Sequence, residues 1–298
     1  MISPRSGRAF AWQARMSAKD FFVPRHELPP FLRAICKRRG LYIARRDDRA
    51  LGLLERLPDH GIGIVGTREP RERSVRLVHA WVERLAHQEL IVLSGFARGI
   101  DAAAHDAALA HGLPTIAFLG CGLLVPYPAE HAELRERILD AGGLLITEHE
   151  PLEPAAKSNF LERNRWIAHC SRGTWVVEAA RRSGALNTAK WARDASRTVW
   201  ATPAFPGDAA FQGNLDLLEL HSAIPLWGPG CFAQEWIGCA TLVRPEPPSQ
   251  DPEFFETKDW SVQRARAERV FGRNPPDQLA WEKLLYGDST TSAPTIPA

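Results

Sequence analysis

From residue 61 to about residue 227, short apolar runs alternate with segments of helical period, a pattern that predicts repeated βα units around a mostly parallel sheet. The predicted strands are 62–66, 90–94, 115–119, 144–147, 174–177 and 198–201, with 224–227 as an edge. Most are continuously apolar, as strands covered on both faces should be. Helical periodicity lies between them near 74–88, 101–111, 130–141, 160–170, 184–196 and 214–221. Two of these helices end on clear stop signals: His111-Gly112 before Pro114, and Ala141-Gly142-Gly143. The expected fold is α/β: an extended Rossmann-like domain over 61–230, its mostly parallel sheet covered by helices on both faces. Residues 1–60 read as a basic, helix-compatible segment, with helical stretches near 31–39 and 48–57. Residues 231–298 read as a Pro-rich connector, a short charged helix near 260–271 and a disordered tail.

Charge sharpens this division. Residues 1–60 carry 13 Lys and Arg against 6 Asp and Glu, which leaves the remainder at −5 in a chain whose formal net charge is +2. Such asymmetry fits a basic arm that contacts phosphates, and it equally fits a solvated N-terminal segment. The five cysteines, Cys36, Cys121, Cys170, Cys231 and Cys239, form no C-x-x-C pair and are odd in number. Neither a zinc ribbon nor a disulfide framework is indicated, and a reducing compartment is the simpler expectation. No apolar run approaches the roughly 18–20 residues of a membrane span, and Arg5, Arg8 and Arg15 are not followed by an apolar signal stretch. The expected location is the cytoplasm.

The candidate chemistry sits where strands hand over to helices. Gly61-Ile62-Gly63-Ile64-Val65-Gly66 matches G-x-G-x-x-G literally, but it lies mostly within the first core strand and not after it, so it does not read as a dinucleotide site. What remains is Gly66-Thr67-Arg68, where a glycine lets backbone approach a ligand and a guanidinium can fork onto phosphate. The next strand ends in Ser94-Gly95-Phe96-Ala97-Arg98-Gly99-Ile100-Asp101, bringing a second arginine to the same edge. Ser94 is not placed as a hydrolase nucleophile, because Val92 stands where the elbow G-x-S-x-G needs glycine. His105, four residues after Asp101, reads as a structural histidine.

Gly120 and Gly122 follow the third strand, and Tyr127 stands near them as a ring that could stack a base or simply pack. Arg163-Asn164-Arg165 is read as a polar cluster at a helix start. Glu178 follows the fifth strand as a candidate acceptor, and Ser183-Gly184 opens the next helix as an anion seat.

Taken in order, these motifs resemble the DNA-processing protein A (DprA/Smf) family: I-V-G-T-R, S-G-F-A-R-G-I-D with a histidine four residues on, L-G-C-G with Y-P, R-N-R, V-V-E-A and S-G-A-L-N-T-A. The resemblance covers roughly residues 61–220. It implies a Rossmann-like domain that binds single-stranded DNA, loads the recombinase RecA onto it during natural transformation and self-associates, with no cofactor, metal or catalytic residue. It places Gly66, Thr67, Arg68, Ser94, Gly95, Arg98, Gly120, Gly122, Arg163, Asn164, Arg165, Ser183 and Gly184 around a nucleic-acid groove, to which the residue reading adds Tyr127 and Glu178.

The chain departs from the family pattern at Ala201-Thr202-Pro203-Ala204-Phe205-Pro206-Gly207 and at Gln212-Gly213-Asn214-Leu215. It also departs in the segments before and after the core. Two other readings stay open: a small-nucleotide sensor using the same pocket, and a nucleoside-monophosphate phosphoribohydrolase pairing Arg163 or Arg165 with Glu178. The second lacks the P-G-G-x-G-T-x-x-E signature around its glutamate.

Overall fold

The computed structural model describes residues 21–204 and 207–226. The expected connector, the 260–271 helix, the tail, Cys231 and Cys239 lie outside them, as do the first 20 residues. One nine-stranded sheet organises the chain. Its strands are β1 (Phe22–Pro24), β2 (Gly40–Ala44), β3 (Gly61–Val65), β4 (Ile91–Ser94), β5 (Thr115–Phe118), β6 (Leu144–Thr147), β7 (Gly173–Val176), β8 (Thr198–Ala201) and β9 (Ile224–Pro225). Across the sheet they run β1-β2-β6-β5-β4-β3-β7-β8-β9. From β3 to β9 all pairings are parallel, with registers such as Ile64↔Trp175 and Leu93↔Ile116. The seven strands read from the apolar runs are all present.

Two faces follow from the two-residue period of the strands. On one, Ile62, Ile64, Val92, Trp175 and Trp200 meet α3 (Glu72–Leu85) and α4 (Ile100–Ala110). There Leu77, Val78, Trp81, Val82 and Leu85 form the inward stripe of α3, and Trp81 stacks on Trp175 with ring centroids 4.3 Å apart. The same face continues over β5 and β6 beneath α5 (Ala132–Asp140), which contributes Leu134 and Ile138. On the other face, Val65, Leu93, Phe118, Val176 and Val199 meet α6 (Lys157–Cys170), α7 (Gly184–Asp194) and α8 (Gln212–Glu219). The stop signals behave as read: α4 and α5 end before Gly112 and Gly142, whose φ of +68° and +76° glycine adopts without steric cost.

Residues 21–60 differ from the helical expectation. They hold the short helices α1 (Pro30–Ile35) and α2 (Gly52–Glu55), but also β1 and β2, which extend the sheet antiparallel beyond β6. Leu41 and Ile43 are fully buried in this way. The run Leu41-Tyr42-Ile43-Ala44 is only four residues long and framed by arginines, so its alternation carries little signal until β6 supplies a partner.

Candidate functional site

β3 is the middle strand of the seven parallel ones. The chain lays β4, β5 and β6 to one side of it, then returns to place β7 on the other. At such a switch point the loops leaving β3 and β7 diverge and open a crevice beyond the carboxyl ends of the strands. A cleft of about 700 Å³ lies there.

The loops that shape it are locked by backbone contacts. Thr67 N–H donates to the Glu178 carbonyl at 2.7 Å, and the Thr67 carbonyl accepts from Ile100 N–H at 3.1 Å. A Cβ on Gly66 would stand 2.6 Å from Ile100, and one on Gly99, where φ is +77°, would stand 2.3 Å from the Thr67 carbonyl. Only glycine allows these two strand-end turns to interlock.

The Asn214 carboxamide accepts from Ala179 N–H at 2.8 Å and donates to the carbonyls of Val176, Val177 and Thr202. It thereby ties together the ends of β7 and β8. Ser183 caps α7 by accepting from Ala185 N–H at 3.2 Å.

Three cations line this cleft in the exposed state: Arg68, Lys157 and Arg182. Among the described residues none of the three makes an ion pair. Arg68 lies over the Phe160 ring at 5.5 Å, and Phe160 in turn packs against Tyr127 at 5.3 Å between centroids. The rim thus joins a guanidinium to two aromatic faces, while the positive end of the α7 dipole adds to the field. Asp101 is the acid of the lining. It is buried, accepts from Ala97 N–H at 3.3 Å, and desolvation raises its pKa while the neighbouring Arg163 opposes the rise.

Of the residues read from the sequence, Gly66, Thr67, Arg68, Tyr127, Arg163, Asn164, Ser183 and Gly184 line the cleft together. The others lie elsewhere. Ser94 is fully buried and donates to the Ile64 carbonyl at 2.6 Å. Gly95 gives its carbonyl to Arg163. Gly120 leaves room for the Phe160 ring, and Gly122 packs on the backbone of Glu150 and Pro151. Arg98 is exposed beside the cleft and paired with Glu130. Glu178 is buried and accepts from Arg71 N–H at 3.1 Å, so it orders the β3–α3 turn from below. His105 is buried against the Thr115 hydroxyl at 2.7 Å, and burial pushes its pKa down to about 3.

The Arg163-Asn164-Arg165 cluster needs correction. α6 starts at Lys157, so the triad lies in the middle of the helix and not at its start, and all three side chains are buried. Arg163 donates to the carbonyls of Gly95 and Phe118, holding the ends of β4 and β5. Asn164 donates to the Gly184 carbonyl at 3.3 Å and to Asn187 at 3.2 Å, joining α6 to α7. Arg165 pairs with buried Glu148. The arginine–glutamate pair considered for a hydrolase is therefore committed to separate structural contacts.

Lys157, Phe160 and Arg182 are cleft residues absent from the sequence-derived set. A signal existed for the first two: once the helix begins at 157, residues 157, 160, 161 and 164 share one face at i, i+3, i+4, i+7, and all four line the cleft.

An open α/β sheet with a ligand-sized crevice at its switch point makes this a Rossmann-like protein of the doubly wound kind. Its family follows from comparison with known proteins: the model for DNA recombination-mediator protein A matches residues 50–231, and the chain belongs to that family. It is 40% identical over 131 residues to Protein Smf of Escherichia coli strain K12, and 39% identical over 131 residues to DNA processing protein DprA of Streptococcus pneumoniae. Those alignments cover 44% of this chain but only 35% and 46% of the relatives, so the match spans less than half of their length. Among solved structures, DNA processing protein A of S. pneumoniae superposes with a TM-score of 0.58 at 33% identity, covering 66% of each chain. DNA processing protein A of Helicobacter pylori, a protein described for its single-stranded DNA binding mode, superposes with a TM-score of 0.61 at 26% identity, covering 70% of this chain and 93% of that one.

Proposed function

We propose that this chain binds single-stranded DNA in the switch-point cleft, as a binding protein and not as an enzyme. The observation that carries the reading is the set of cations without acidic partners among the described residues, Arg68, Lys157 and Arg182, set around the paired rings of Tyr127 and Phe160. Cations already paired to carboxylates gain little from a phosphate. Unpaired ones exchange bound counterions for it, and that release makes affinity fall with salt. The α7 N-terminus offers backbone N–H groups to the same anion. Rings at the rim can stack unpaired bases, which a duplex keeps inside its helix. None of these contacts reads a base edge, so the binding is largely independent of sequence. The single-stranded DNA binding mode described for the H. pylori relative supports the same assignment. Strand capture is also the step on which the RecA loading implied by the family resemblance would depend, with self-association as a further expectation.

The test is fluorescence anisotropy with single-stranded and duplex oligonucleotides of equal length at two salt concentrations. The chain prefers the single strand, and each of Arg68→Ala, Lys157→Ala and Arg182→Ala lowers the slope of log affinity against log salt by about 0.7. Equal affinity for duplex, or a triple variant that binds as well as the parent, overturns the reading. A thermal-stability rise with a mononucleotide and none with the oligonucleotide would replace it by small-nucleotide sensing.

A further inference from the structure

The loop between β6 and α6 leads directly into the helix turn that presents Lys157 and Phe160, and it is gripped from outside the family region. Lys37 N–H donates to Glu148 at 2.8 Å. Arg38 forks onto both carboxylate oxygens of Glu153 at 2.7 and 3.1 Å, and the Tyr42 hydroxyl donates to Glu150 at 2.5 Å. The same carboxylates are shared with residues inside the loop and on α6. His149 meets Glu153 at 2.5 Å, Asn159 donates to it at 3.3 Å, and Arg165 pairs with Glu148. Arg38 is the main reason that the Glu153 carboxyl is held down to about 2.

A second set of contacts ties the loop to the segment that carries Tyr127. Gly122 N–H donates to the Glu153 carbonyl at 2.9 Å, and Leu124 N–H donates to the Pro151 carbonyl at 2.8 Å. The loop is therefore the common support of both rim rings. The family match begins at residue 50, after this grip has been supplied.

We propose that the segment 37–42 is a positioning element for strand binding: by clamping Glu148, Glu150 and Glu153, it sets the start of α6 so that Lys157 and Phe160 face Arg68 and Tyr127. This rests on the cleft reading above. Arg38 touches no ligand in this scheme. The clamp acts by limiting the orientations the loop samples, so the strand does not have to order the loop when it binds.

The experiment uses the full chain with Arg38→Ala, Glu153→Gln and the double variant. It measures single-strand affinity by anisotropy at two salt concentrations and hydrogen exchange over residues 150–160. Each single variant binds roughly fivefold more weakly. The double is no weaker than either single, as coupled partners require, and the salt slope stays at the parent value. Exchange over 154–160 rises in all three. Tyr42→Phe, which removes one hydroxyl, gives a smaller shift in the same direction and serves if the double variant does not fold.

Glu153→Gln binding at parent affinity overturns the clamp. So does Arg38→Ala lowering the salt slope while Glu153→Gln does not, because Arg38 would then contact phosphate directly. The triple variant Arg68→Ala, Lys157→Ala, Arg182→Ala, measured in parallel, separates the two readings. If it binds like the parent, the cleft reading falls, and the clamp is judged by exchange alone, failing if Glu153→Gln leaves residues 154–160 unchanged.

Discussion

Along α6 the cations change role within two turns. At the start, Lys157 is exposed, has no carboxylate partner among the described residues and opens onto the cleft. In the middle, Arg163 and Arg165 are 5% and 2% exposed and are spent on strand-end carbonyls and on Glu148. The same contrast separates Arg68 and Arg182 from Arg98, which is exposed but already paired with Glu130. Residue type alone does not make a phosphate contact. A cation serves a ligand when it is near water and lacks a partner; when it is buried against strand-end carbonyls or a carboxylate, it serves the sheet whose loops shape the site.

The hardest way to break this comparison is Arg163→Ala. Two buried carbonyls lose their donor and Asp101 loses its neighbouring charge, so stability falls by about 3–5 kcal/mol, read from urea unfolding. Lys157→Ala in the same assay stays within about 0.5 kcal/mol of the parent. If Arg163→Ala unfolds like the parent and loses only strand affinity, the division of roles along α6 is wrong.

A smaller effect sharpens the cleft side. Tyr127→Ala removes a rim ring but no charge, so single-strand affinity falls by about 1–3 kcal/mol at unchanged salt slope. Unchanged affinity at both salt concentrations would show that the ring merely packs.

The smallest effect concerns the interior. His105 has a pKa of about 3 when folded against an ordinary 6.5, so between these values the unfolded chain binds the extra proton. Its contribution is present above pH 6.5 and is lost as pH falls toward 3. From pH 7 to 6 the loss stays below about 1 kcal/mol, and it grows as pH falls further. The stability difference between the parent and His105→Gln should follow that curve. A pH-independent difference would mean that the folded histidine titrates normally.

Much of this architecture is legible in the sequence. The seven strands from β3 to β9 are found where apolar runs predicted them, because a strand covered on both faces must be apolar throughout. The Gly66-Thr67-Arg68 and Ser183-Gly184 turns were legible because strand ends and helix starts are local features, readable from a few consecutive residues. Both turns reach the cleft. The i, i+3, i+4, i+7 face of 157, 160, 161 and 164 emerges only once the helix starts at 157, three residues before the start the periodicity predicts.

The order of elements, the mostly parallel sheet and the edge at which its glycines and cations collect follow from the chain itself, since hydrophobic period and turn chemistry act over short distances. Which cations go without a carboxylate among the described residues, and that β1 and β2 join the sheet, are settled by folding. Those outcomes depend on partners far apart in the chain: Lys37 with Glu148, Tyr42 with Glu150, Arg163 with Gly95 and Phe118. Burial and pairing are properties of the folded neighbourhood, and no window of consecutive residues contains it.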